Sequence, residues 1–188
     1  MSEQALRRLT NHLGPAVVST HDHRGDETAV IARGAIHDAC LWLRDDADLR
    51  FEMLTDLTAV DYLQLSRVPR FEVVYHLYSV THKHRLRLKV GVAVEDPVVA
   101  TVSDIWNNAN WLEREVWDLY GIRFEAHPDL RRILLYEQFV GHPLRKDYPK
   151  AKRQPLARRP DDEIAEATAG RPGSGVVPGR HARNLLEG

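Results

Sequence analysis

The chain has 188 residues, 43% of them hydrophobic and 28% charged, and its formal net charge at pH 7 is −1. Such a balanced charge offers no field that would attract nucleic acid or an anionic membrane surface, so neither is expected as a direct partner. The single cysteine, Cys40, cannot form an internal disulfide and falls short of the four thiolates that usually hold an iron–sulfur cluster. A protein of a reducing compartment is therefore expected.

Hydropathy predicts no membrane-spanning segment. No apolar run approaches the roughly 20 residues that cross a bilayer. The N-terminal sequence MSEQALRRLT lacks the apolar segment of a secretory signal. The sequence therefore predicts one soluble domain with a tail, and any contact with a membrane is expected to come through a partner.

Helices and short strands alternate in the predicted N-terminal third. A first helix is expected after Ser2, whose hydroxyl can cap it, and Gly14-Pro15 ends it; its inward residues recur at helical spacing, at Ala5, Leu6, Leu9 and Leu13. Short strands are predicted over 16–20 and 27–32, around a turn at 21–26. A second amphipathic helix is predicted over 35–45, with Cys40 turned inward.

Four polar residues of this half are candidates for chemistry. His21 and His23 could be a fragment of a metal site, but two histidines without further ligands at usable spacing are more often loop residues. Asp56 and Asp61 follow a predicted strand end at 51–54 and invite a catalytic hypothesis, but no base or nucleophile accompanies them. We therefore predict neither a metal site nor a catalytic site in this chain.

The strongest β signal lies between residues 71 and 94. Alternation of apolar and polar residues predicts two antiparallel strands, 71–80 and 84–94, joined at 81–83. The outward row of the second strand is basic, with Arg85, Arg87 and Lys89. This row could bind phosphate or RNA, but such a row is more often the solvated face of a sheet.

A helix is predicted over 105–120, with the Ser103 hydroxyl as its N-cap and Gly121 as its C-terminal stop. Its inward apolar residues are Ile105, Ala109, Leu112, Val116 and Leu119. A second face would hold Glu113 between Trp106 and Trp117, which predicts a structural or interfacial carboxylate with fixed donors. Arg114 and Asp118 are four residues apart and are expected to pair along the helix surface.

Two prolines dominate the segment after this helix. Pro128 and Pro143 force extended backbone on the residues before them and exclude a helix. Arginines interleave with aromatic residues there, which is typical of protein interfaces. We predict an extended interface arm, and the alternative is a surface loop folded back on its own domain. From Lys150 onward few large apolar residues remain, so the tail is expected to order only on a partner.

Four segments of this region resemble one protein family: 113–115, 118–122, 127–134 and 141–149. They resemble the 30 kDa, or C-type, subunit of respiratory complex I, the proton-pumping NADH:quinone oxidoreductase. A weaker resemblance reaches back to about Phe51. The residues that carry the family signature, and that would form its interface, are Trp106, Trp111, Glu113, Arg114, Glu115, Asp118, Gly121, His127, Pro128, Arg131, Arg132, Gly141, His142, Pro143, Arg145, Lys146, Asp147 and Tyr148.

The resemblance implies a non-catalytic architectural subunit in the peripheral arm of the complex, at the cytoplasmic face of the membrane. Its expected partners in complex I are the D-type subunit, of the 49 kDa type, and the B-type subunit. NADH, FMN, iron–sulfur clusters and quinone would belong to partner subunits. The tail lacks the glycine-tyrosine and acidic-tyrosine pattern of many relatives, which leaves its docking open.

Two other functions are weighed against this one. Membrane-bound nickel–iron hydrogenases and related energy-converting complexes use a similar subunit, although the element from Gly141 to Tyr148 favours complex I. A stand-alone hydrolase or metal enzyme would have to use scattered histidines with Asp56, Asp61 and Glu113, and these residues form no spaced set.

The predicted fold class is α+β, with a small mixed or antiparallel sheet and two or three packed helices, followed by an extended C-terminal arm. The predicted divisions are a core domain over 1–122, an interface arm over 123–149 and a flexible, partner-ordered tail over 150–188.

Overall fold

A computed structural model of the chain describes residues 2–155. Three helices and seven strands follow one another in the described residues, and we number them in chain order. The helices are α1 (Ser2–Leu13), α2 (Ile36–Asp45) and α3 (Ala109–Tyr120). The strands are β1 (Val17–His23), β2 (Asp26–Ile31), β3 (Met53–Asp61), β4 (Phe71–Ser79), β5 (His84–Val92), β6 (Val98–Ala100) and β7 (Arg123–Glu125). This confirms the predicted α+β class.

A mixed five-stranded sheet with the order β1-β2-β5-β4-β3 forms the centre of the fold. Only β2 and β5 run parallel in it, and the other neighbours are antiparallel. One buried apolar cluster joins the inward residues of the sheet with Leu9 of α1, Leu43 of α2 and Val116 of α3. Strands β6 and β7 form a separate parallel pair on either side of α3 in the sequence.

The predicted hairpin is confirmed as β4 and β5, which pair along their whole length. Phe71, Val73 and Tyr75 are buried, as the alternation indicated. On the opposite face, Arg87 pairs with Asp26 at 3.0 Å and Lys89 pairs with Glu72 at 2.8 Å. Two members of the basic row are therefore part of ion pairs on the outer face of the sheet.

Three elements differ from the prediction by more than two residues. The turn between β1 and β2 contains only Arg24 and Gly25, both with positive φ, so most of 21–26 is strand, including the exposed His21 and His23. Strand β3 runs through to Asp61, because it pairs with β4 over nearly its whole length. Asp56 is exposed at an irregularity in that pairing.

The third difference is the start of α3. The helix begins at Ala109, and Ser103 lies in a preceding turn in which the backbone N–H groups of Ile105 and Trp106 both bond to the carbonyl of Val102. Ser103 is therefore not the N-cap. Trp106 is outside the helix and buried, and its indole N–H donates to the carbonyl of Phe51 at 3.3 Å.

The predicted division into a core domain over 1–122 and an arm over 123–149 stays a prediction. One compact unit extends from Met1 to Arg153 and includes the C-terminal arm, by which we mean residues 123–149. Among residues 2–155, no helix is long and apolar enough to cross a membrane. Most of the predicted tail, from 156 onward, lies outside the described residues.

Candidate subunit interface

The carboxylate of Asp118 holds the middle of the C-terminal arm against α3. One of its oxygens, Oδ2, accepts three backbone N–H groups, those of Ile133 at 3.2 Å, Leu134 at 3.0 Å and Leu135 at 2.9 Å. The other oxygen accepts a hydrogen bond and an ion pair from Arg132 at 2.5 Å. Burial alone would raise the pKa of Asp118, but these donors outweigh burial and hold the pKa below its ordinary value.

Arg114 binds the same segment from one turn earlier on α3. Its guanidinium donates to the carbonyl of Arg131 at 3.1 Å and to that of Arg132 at 3.0 Å, and it lies 5.1 Å from the ring centre of Trp111. The predicted surface pair between Arg114 and Asp118 is therefore wrong. Both side chains are buried, and each binds the C-terminal arm because that arm folds back over this face of α3.

A second part of the arm closes the C-terminal end of α3. The last carbonyl groups of a helix have no partner within the helix and must find one elsewhere. Here His142 Nδ1 donates to the carbonyl of Asp118 at 2.9 Å, the N–H of Leu144 donates to that of Leu119 at 3.1 Å, and Arg145 Nε donates to that of Tyr120 at 2.5 Å. The arm thus caps the helix.

Gly121 allows the arm to lie close to the C-terminal end of α3. Its φ of +72° lies in the left-handed region, and a Cβ atom there would lie 2.6 Å from the ring of His142 and 2.8 Å from the guanidinium of Arg145. Only glycine fits both the backbone conformation and the space. The glycine predicted as a simple helix stop is therefore also a packing site for the arm.

Arg70 ties the end of the arm to the sheet. Its guanidinium bonds to Asp61 at 2.9 and 2.7 Å and to Asp147 at 3.0 and 2.9 Å. Asp61 Oδ2 also accepts the backbone N–H of Lys146 at 2.8 Å. Burial disfavours the charged form of Asp61, but Arg70 and the backbone donors outweigh it and lower the pKa to about 2.

Glu113 anchors the start of the arm from inside the core. Its side chain is fully buried, and it accepts the N–H of Val102 at 2.7 Å and the hydroxyl of Thr101 at 2.5 Å. His127, in the arm, lies 3.9 Å from the same carboxylate. Burial raises the pKa of Glu113 to about 7, because these two donors compensate only part of the cost of burying the charge.

We call the residues that make these contacts the arm clasp. Two of them, Asp61 and Arg70, were not among the predicted interface residues. The others were predicted: Glu113, Arg114, Asp118, Gly121, His127, Arg132, His142, Arg145, Lys146 (through its backbone N–H) and Asp147. Asp61 was a catalytic candidate and lies within the weaker family resemblance that reaches back to Phe51, whereas Arg70 was not predicted as a site residue. Local spacing could not reveal the contacts of either residue with the arm, because their partners lie far away in the sequence.

Other predicted residues lie outside the clasp. Pro128 and the side chains of Lys146 and Glu115 are exposed, and Arg131 is exposed beside Asp129, which it contacts at 2.9 Å. Trp111 is 60% exposed, and so is Leu134. Tyr148 packs near Phe139 and, with Gly141 and Pro143, belongs to the fold of the arm itself. The family signature therefore divides into an inward clasp and an outward face.

The model of the family described as respiratory-chain NADH dehydrogenase, 30 kDa subunit, matches residues 29–154. This match covers well over half of the chain, so the chain belongs to that family. The resemblance noted in the sequence is confirmed.

Individual relatives agree with this assignment. The C-type subunit of the NADH-quinone oxidoreductase from Geobacter sulfurreducens is 49% identical over 148 residues, which are 79% of this chain and 90% of that protein. The protein of the same name from Acidithiobacillus ferrooxidans is 46% identical over 151 residues, or 78% of this chain and 75% of that one.

Two solved structures are similar. A trypsin-resistant fragment of Nqo5 is 34% identical with a TM-score of 0.59, and the match covers 68% of this chain and 98% of that chain. A chain of the membrane-bound sulfane sulfur reductase, an archaeal respiratory membrane complex, has a TM-score of 0.64 at 18% identity and covers 97% of this chain and 95% of that chain. The second match shows a shared fold.

Proposed function

We propose that this chain is a non-catalytic architectural subunit of NADH-quinone oxidoreductase. In the peripheral arm of the complex it supports electron transfer from NADH to quinone by holding the D-type and B-type subunits in register. Its similarity to the C-type subunits of that enzyme supports the proposal. NADH, FMN, iron–sulfur clusters and quinone would be bound by partner subunits, and the chain would meet the cytoplasmic face of the membrane only through the complex.

The observation that carries this proposal is the division of the signature residues. The clasp orders the C-terminal arm on the core from within, so a partner does not have to supply that ordering energy. Large apolar side chains remain exposed beside the clasp, with Trp111 and Leu134 each 60% exposed and Leu144 42% exposed. Exposed apolar side chains also occur elsewhere on the chain, so the position of these three beside the signature residues is what supports a contact with a partner.

The test is retention of partner subunits by a tagged chain in the intact complex. Trp111→Ser and Leu134→Ser should each reduce the amount of copurified D-type subunit about tenfold or more, because a central apolar anchor contributes about 2 kcal/mol or more to an interface. The melting temperature of the purified chain should not change. Val18→Ser is the matched control, since Val18 is 65% exposed on β1, away from the clasp. Equal retention of all three variants would refute the proposal.

A related complex with another electron donor, such as a membrane-bound hydrogenase, is the alternative. The shared fold with the sulfane sulfur reductase chain is compatible with it, whereas 49% identity over most of the Geobacter protein favours NADH-quinone oxidoreductase. The subunits that copurify with the chain distinguish NADH-quinone oxidoreductase from a related complex. An NADH-oxidising module in the purified complex supports the first function, and a nickel–iron subunit in its place supports the second.

A further inference from the structure

The surroundings of Glu113 point to a property that does not depend on which complex the chain joins. We propose that Glu113 is a buried proton-binding site that exchanges its proton with solvent through the hydroxyl groups of Thr101 and Ser103. The proton is the ligand, the carboxylate is the site, and the two hydroxyls are its route to the surface.

Within the part of the chain that the structure describes, no positively charged side chain pairs with the buried carboxylate. Among the described residues, His127 is the only basic side chain within 4 Å of Glu113. Both nitrogens of its ring are already engaged, since Nε2 lies 3.2 Å from the carbonyl of Asn110 and Nδ1 accepts the N–H of Asp129 at 3.0 Å. A carbonyl only accepts, so Nε2 carries the hydrogen and the ring is the neutral tautomer.

The other groups that face Glu113 are neutral or negative. Cys40 comes from α2 and Tyr75 from β4, and burial raises the pKa of both side chains, which keeps them uncharged. The exposed carboxylate of Asp104, which pairs with His37 at 2.9 Å, adds negative charge nearby. A buried carboxylate in such surroundings is more stable with its proton bound.

The hydrogen bonds of Glu113 fit both of its protonation states. Thr101 Oγ1 lies 2.5 Å from Glu113 Oε2 and 2.8 Å from Ser103 Oγ, yet a hydroxyl has only one hydrogen to donate. With Glu113 neutral, the carboxyl donates to Thr101, which donates to Ser103. With Glu113 ionised, both hydroxyls donate in the reverse direction. No heavy atom has to move between the two states.

The two hydroxyl groups lead from the buried carboxylate to a partly exposed residue. Thr101 is buried and Ser103 is half-buried, so the second hydroxyl can meet water. The raised pKa of Glu113, about 7, supports a proton that is bound and released near neutral pH.

The experiment is a carbon-13 NMR titration of the side-chain carboxyl groups in the full chain. The Glu113 resonance should titrate with a midpoint near 7. It is assigned by its absence in Glu113→Gln or, where that variant does not fold, by through-bond correlation in the unmodified chain. A midpoint at or below the ordinary value of 4.5 would overturn the proton site.

The relay is tested with two hydroxyl variants. Thr101→Val should raise the midpoint, because the ionised carboxylate loses a donor. Ser103→Ala should leave the midpoint nearly unchanged and slow the exchange between the two protonation states at least about tenfold, seen in the line width near the midpoint. Ser19→Ala, on the exposed strand β1, is the control and should change neither quantity. An unaltered exchange rate in both Thr101→Val and Ser103→Ala would overturn the relay.

Discussion

The carboxylate of Asp118 accepts three consecutive backbone N–H groups of a segment that has no helix or sheet of its own. We predict that Asp118→Asn lowers the free energy of unfolding by about 3 kcal/mol. The NH₂ group of the asparagine would face N–H donors of the arm, and Arg132 would lose its buried negative partner. Urea unfolding of the full chain measures this. Glu115→Gln, an exposed change on the same helix, should stay within about 0.5 kcal/mol. A stable Asp118→Asn variant would show that the arm does not depend on this residue.

The raised pKa of Glu113 predicts a particular pH dependence of stability. The folded state keeps this proton up to about pH 7, whereas an ordinary glutamate loses it near 4.5, so between these values the folded state binds more protons than the unfolded state. The stabilisation is therefore complete below pH 4.5 and is lost as the pH rises to 7. The expected loss is about 3 kcal/mol.

Glu113→Gln isolates this contribution, because its amide stays neutral and can still bond to Thr101 and Val102. The difference in unfolding free energy between the unmodified chain and this variant should change by about 3 kcal/mol between pH 4.5 and 7. The other titrating groups contribute equally to the unfolding free energy of both proteins, so their contributions cancel in this difference. Parallel stability curves for the two proteins would contradict the prediction.

For individual residues, the sequence indicated which side chains are important but did not indicate their partners. Arg114 and Asp118 stand four apart, and helix geometry alone makes them a surface pair. Their contacts with Arg131 and Arg132 arise only because the arm folds back, which no local spacing encodes. In the same way, the bond between Asp61 and Lys146 spans 85 positions in the sequence.

Among the elements, the end of the C-terminal arm depends on Arg70, which joins a fully buried carboxylate to a half-exposed one. The side chain of Asp61 is 0% exposed and that of Asp147 is 52% exposed. We predict that Asp147→Asn costs less than about 1 kcal/mol, as solvent screens this pair. Arg70→Ala should cost about 3 kcal/mol, because it leaves the buried charge of Asp61 unpaired.

Limited trypsin digestion distinguishes these effects further. Both variants remove a contact that holds the end of the arm, so cleavage after Arg145 and Lys146 should accelerate in each. The urea midpoint should fall clearly more in Arg70→Ala than in Asp147→Asn. Arg7→Ala is the control, since its pair with Glu3 is exposed on α1. Equal losses of stability in Arg70→Ala and Asp147→Asn would mean that burial of Asp61 is not the deciding factor.

The elements that sequence periodicity predicted well are those whose environment is uniform along their length. The β4–β5 hairpin and the inward face of α2 have one buried side throughout, and their alternation is visible in the sequence. Strand β3 carries the polar residues Thr55, Asp56 and Thr58 and is held by pairing with β4, which single-segment patterns do not record. The turn before α3 likewise depends on bonds to Val102 and Glu113.

For the whole molecule, composition and periodicity sufficed for the α+β class, whereas the predicted division at 122/123 stays a prediction. Loss of regular structure after β7 predicted an arm without indicating where it lies, and the role of that arm as a partner interface stays a prediction. The position of the arm is determined by its hydrogen bonds to charged and carbonyl groups on α3 and on the sheet. These groups come together only in the folded molecule. The predicted partner-dependent order of the tail lies largely outside the described residues and stays a prediction.

Truncation tests where the stability of the whole chain resides. The compact unit from Met1 to Arg153 contains the complete clasp, so removing the residues beyond 155 should leave the melting temperature unchanged within about 2 °C. A chain that ends at Ile122 lacks the arm donors that bind Asp118 and the backbone N–H of Lys146 that binds Asp61. The buried carboxylates of Asp118 and Asp61 would then lack these hydrogen bonds. A loss of about 3 kcal/mol should lower the melting temperature by about 10 °C. Calorimetry of the three chain lengths measures this, and equal melting temperatures for the chains ending at 122 and 155 would show that the clasp does not stabilise the core.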